Sequence, residues 1–92
     1  MNTDLALRRW LGLQGLAVPE VFDVIAAFEA REFLRVHGDQ LTTPQRQAGA
    51  AADRWADANA ASLLPVLTLP GNKLPPEHYA RQFAARHAGA PS

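Results

Sequence analysis

Ninety-two residues with no cysteine, a formal charge of zero and 48% hydrophobic residues fit one domain. They exclude disulfide scaffolds, thiolate metal sites and cysteine nucleophiles, and the even charge balance argues against a strongly basic nucleic-acid binder or a polyacidic chain. The N-terminal residues lack the form of a secretory signal, and the most apolar stretch, 63–69, falls far short of the ~20 residues that span a bilayer, so a cytoplasmic protein with no membrane partner is expected.

The first predicted helix covers 3–14. Thr3 is its expected cap, Asp4 lies in the dipole-favoured first turn, and Gly15 stops it. Leu7, Trp10 and Leu11 share its apolar face, and Gly12 weakens it by about 1 kcal/mol relative to alanine. The second helix, 19–37, starts at Pro19 and ends before Gly38. Its apolar residues, from Val21 and Phe22 through Phe28 to Phe33, Leu34 and Val36, spread over a wide arc. That breadth predicts a central helix touched from more than one side.

The third helix covers 44–64, capped by Thr43 and halted by Pro65, with a break near Asn59 as the alternative. Ala48, Ala51, Ala52, Trp55, Ala58 and Ala61 lie to roughly one side, and their small size predicts close packing beside helix two. Residues 63–76 carry Pro65, Pro70, Pro75 and Pro76 and a Pro70-Gly71-Asn72 turn signal, which reads as an extended arm. The last helix covers 76–88, with Tyr79, Ala80, Phe83 and Ala84 on one face. The expected architecture is all-α: a compact four-helix bundle with a Pro-rich extended arm before the last helix, one domain over 1–89 and a frayed tail at 90–92.

No metal or cofactor pattern emerges. His78 and His87, nine residues apart, fall on opposite sides of a helix, and His87 is placed to cover the edge of the core one turn after Phe83. No His-Glu-x-x-His, Gly-x-Ser-x-Gly or glycine-rich phosphate loop occurs, so no catalytic residue is assigned and an enzyme is not expected. Glu29 lies between Ile25 and Phe33 on the apolar stripe, where a carboxylate calls for an arginine from a neighbouring helix or a second subunit, unless that edge is solvated. Asp53 and Asp57 form a like-charged i,i+4 pair that Arg54 or a basic partner would neutralise.

Charge is segregated. Residues 19–40 carry five carboxylates against two arginines, a net −3, while residues 1–18 and 73–92 are net basic at +1 and +2. Residues 41–72 are neutral, so a helix-turn-helix drawn there, with its turn near Ala48 and Gly49, lacks the basic surface that phosphates require. A dimeric DNA-binding regulator is therefore the second reading. The first is a small non-enzymatic interaction module: an accessory subunit, an adaptor or a small inhibitor of the phage or plasmid kind. It is expected to self-associate or bind a protein partner by helix-face and arm docking, through Leu67, Leu69, Tyr79, Arg81 and Arg86.

Overall fold

A computed structural model of the chain describes residues 1–68 and 74–88. They form five α-helices and two short 3₁₀ turns, an all-α arrangement with no strand among the described residues. The helix α1 (Thr3–Gly12) is capped by Asn2, one residue earlier than expected, whose side-chain oxygen accepts from the Leu5 N–H at 2.8 Å. It tightens into a 3₁₀ turn, Leu13–Gly15. In α2 (Val21–His37), Glu20 and Asp23 form a reciprocal capping box, and a second 3₁₀ turn, Gly38–Gln40, follows the helix. A second box, Thr42 with Gln45, opens α3 (Thr43–Ala58).

The third predicted helix is in fact two. Asn59 ends α3, its side-chain amide donating to the Trp55 carbonyl at 2.8 Å, and α4 (Ala60–Leu67) begins at once. The expectation of an extended arm from residue 63 is corrected here, because 63–67 are helical with Pro65 inside the helix. A proline in a helix interior costs ~3 kcal/mol, mostly through a lost hydrogen bond and a ring clash. Burying Leu63 and Leu67, each contributing about 1.5–3 kcal/mol, offsets that cost. Pro65 and Ala61, whose carbonyl loses its partner, both face solvent. Of the rest of the expected arm, 69–73 lies outside the described residues, as do the tail 90–92 and Leu69. Residues 74–78 are non-helical.

The last helix, α5 (Tyr79–Ala88), starts three residues later than expected, where its free N–H groups are capped by the preceding residue and by a distant one. Glu32 of α2 accepts from the Tyr79 N–H at 2.9 Å, and the His78 ring accepts from the Ala80 N–H at 3.0 Å.

The helix α2 lies between α1 and α5 and also touches α4, whereas α3 packs on α1 rather than on α2. Ala52 and Ala56 form the buried face of α3; Ala51, Ala58 and Ala61 are exposed and Trp55 is half-buried, so the close-packed side differs from the one read in the sequence. Trp10, Phe28, Tyr79 and Phe83 meet at the centre, with ring centroids 5.1–6.4 Å apart, and Leu13, Val24 and Leu63 close around them.

Candidate interaction surface

The apolar residues of α2 divide into two faces. Val24, Ala27, Phe28, Ala30 and Leu34 are buried against α1 and α5. The second face carries Phe22, Ile25, Ala26, Glu29, Phe33 and Val36 at spacings of three, one, three, four and three residues, a single stripe about 21 Å long. Phe22 is 85% exposed and Val36 57% exposed, while Ile25 and Phe33 are half-buried. Exposed Val18 and Val21 add apolar surface at the N-terminal end of the helix. Toward its C-terminal end, Met1, Glu29, Glu32, Phe33, Val36 and His37 line a depression of about 320 Å³. Single exposed apolar residues are ordinary; a stripe of them along one helix is not.

Glutamates stand at the centre of the stripe. Glu29 is half-exposed, and its Oε1 lies 3.3 Å from the buried Nε2 of His78, without the alignment of a hydrogen bond. Because His78 Nδ1 accepts from the Ala80 N–H, the ring proton sits on Nε2, facing this carboxylate. Glu32 is gripped by the Arg35 guanidinium fork at 2.6 and 2.7 Å. That fork holds its carboxyl below the ordinary 4.5; burial opposes the shift, and the Tyr79 N–H reinforces it. Arg35 in turn is held more firmly protonated by Glu32.

The sign of the resulting pH dependence follows directly. A carboxylate with a folded pKa below its unfolded value adds stability that is complete above the unfolded value and lost as pH falls through the folded one. Glu32→Gln is therefore expected to destabilise the protein at neutral pH, with a deficit that narrows as pH drops below 4.5. Urea melts of both proteins at neutral and acid pH measure it.

The two aspartates of α3 are neutralised by other helices, not by Arg54. Asp53 receives the Arg31 fork at 2.9 and 3.1 Å and the Trp10 indole N–H at 2.9 Å. Asp57 takes Arg86 at 2.7 Å and His87 at 2.8 Å. Burial pushes the Asp57 carboxyl up, but His87 and Arg86 together outweigh it and hold it below its ordinary value. His87 also stacks on Phe83 with centroids 4.6 Å apart, at the edge of the core where the sequence placed it.

Of the five residues expected to make partner contacts, Leu67, Tyr79, Arg81 and Arg86 are described. Leu67 and Tyr79 are only 8% and 7% exposed and pack into the core of the chain. Burial also raises the Tyr79 phenol, which Asp53 reinforces. Arg31 lies over the Tyr79 ring at 4.2 Å. Arg81 is exposed but donates to the Leu74 carbonyl at 2.8 Å, and Arg86 is committed to Asp57, which raises its pKa further. Leu69 lies outside the described residues.

Among the described residues no group of three or more His, Asp or Glu side chains is arranged to hold a metal ion, and no helix is long and apolar enough to cross a membrane. Searched against protein-family models, curated proteins and solved structures, the chain matches none.

Proposed function

We propose that the chain is a small non-enzymatic interaction module, an accessory subunit, adaptor or inhibitor, that docks a partner protein on the outer stripe of α2. The observation that carries this reading is the exposure of Phe22 and Val36 at the two ends of a stripe with no basic side chain in it. The reading places helix-face docking on α2, because Leu67 and Tyr79 are buried in this chain. The occupant is a basic amphipathic helix of another protein. Its apolar positions cover Phe22, Phe33 and Val36, and a lysine or arginine meets the half-exposed Glu29. A second copy fits less well, since two stripes paired antiparallel about Glu29 would set the two Glu29 carboxylates against each other.

DNA binding has less to support it. The helix α3 runs through Ala48 and Gly49 without the turn a helix-turn-helix would need there, and Asp53 and Asp57 remain on it.

The test is a photo-reactive phenylalanine analogue at position 22 of the full chain in its source cells, with Ala61, exposed on α4, as the control position. Position 22 is expected to cross-link a single foreign segment that is basic and amphipathic, and position 61 is not. A cross-link from position 22 to a second copy of this chain, to an acidic segment or to nothing contradicts the proposal.

A further inference from the structure

On the opposite side of α2 from the stripe, Arg31, Leu34, Arg35 and Gly38 face Arg46, Gly49, Ala50 and Asp53 of α3 across a cavity of about 360 Å³. The cavity exists because α3 packs on α1, which leaves a wedge between the C-terminal half of α2 and the N-terminal half of α3. The Arg31–Asp53 pair spans it, and Leu41 adds an apolar wall.

Two glycines, Gly38 and Gly49, line the wedge. Gly38 has φ −65°, which any residue adopts, and a Cβ there would meet nothing within 4 Å. Gly49 lies inside α3, where glycine is a poor helix former. A Cβ at 49 would meet only the Leu7 Cδ1, at an ordinary 3.7 Å.

The charges are not balanced. Asp53 is satisfied by three donors, two from Arg31 and one from Trp10, and Arg35 is paired with Glu32. Among the described residues Arg46 has no carboxylate at ion-pair distance, and its one hydrogen bond, to the Asp39 carbonyl, is long at 3.4 Å. After the internal pairs cancel, one positive charge stays at the mouth of an apolar-walled cavity. Its volume sits at the lower end of the ~300–1,000 Å³ of ligand pockets.

The geometry points to a binding site for a small organic monocarboxylate, its apolar body between Leu34, Leu41 and Ala50 and its carboxylate on Arg46. A planar guanidinium matches a carboxylate with two parallel donors, and the single surplus charge matches a monoanion. This site is independent of the partner surface on α2.

Amide-resolved NMR titration of the full chain with benzoate tests it, with benzyl alcohol as the neutral analogue and inorganic phosphate as the competing anion. Benzoate is expected to cause saturable shifts confined to residues 31–53, and benzyl alcohol to bind at least about tenfold more weakly. Arg46→Gln, at an exposed position, should weaken benzoate about tenfold. Absence of saturable shifts at 31–53, equal binding of benzyl alcohol, phosphate binding as tight as benzoate, or benzoate binding unchanged in Arg46→Gln would overturn the assignment.

Discussion

Phe28→Ala is expected to remove about 3–5 kcal/mol of stability. The ring is 1% exposed and stands between Trp10, Phe83 and Tyr79, with centroids at 5.1, 5.1 and 6.0 Å. Its removal forfeits apolar burial and leaves a cavity that α1 and α5 can close only by moving together. It also deletes edge-to-face contacts worth roughly 0.5–1.5 kcal/mol each. For 92 residues the whole stability is on the order of 5–14 kcal/mol, so the variant should be largely unfolded in moderate urea. Equilibrium urea denaturation followed by Trp10 and Trp55 fluorescence measures the loss. A deficit below about 1 kcal/mol would mean that the four rings do not form the core.

Asp53→Ala is expected to cost about 2–3 kcal/mol, because it strands two donors at once. Arg31 loses its forked partner and the Trp10 indole N–H loses its acceptor. The Arg31 and Asp53 side chains are 20% and 29% exposed, so water screens the pair, and the cost falls below the 3–5 kcal/mol of a fully buried one. Asp53→Asn separates the two contributions: its amide oxygen can still accept from Trp10, whereas the charge on which Arg31 depends is gone. A double-mutant cycle of Asp53→Ala with Arg31→Ala should show a coupling of about 1–2 kcal/mol. Additivity of the two single losses would show that the fork contributes nothing.

Local sequence carried the helices whose determinants are local. Gly38 marks the end of α2, whereas its start lies at Val21, two residues after the expected Pro19, and the width of its apolar arc points to contacts beyond one neighbour. What the arc could not reveal was which half the other helices would cover. The sequence places Phe28 and Phe22 on an equal footing as apolar residues of one helix, yet the first is at the centre of the core and the second 85% exposed.

The errors share a cause, which is stabilisation from distant residues. Pro65 reads as a barrier until Leu63 and Leu67 are seen to bury their side chains. The start of α5 depends on Glu32, forty-seven residues earlier, accepting from Tyr79. Asp53 and Asp57 read as a repelling pair on a solvated face until Arg31, Arg86 and His87 arrive from other helices. The burial of Leu67 and Tyr79 within the chain has no local signature. The local signal for the proposed α2 surface is Glu29, a carboxylate inside an apolar stripe.

Native mass spectrometry of the untagged protein, purified gently from its source cells beside a Phe22→Asp variant, tests the interaction surface most directly. Phe22 is so exposed that the substitution should shift folding stability by no more than about 0.5 kcal/mol. Docking on α2 predicts a stoichiometric complex with a second, different protein for the natural chain and free monomer for Phe22→Asp. A bare monomer in both, or a complex or homodimer that survives Phe22→Asp, would contradict it.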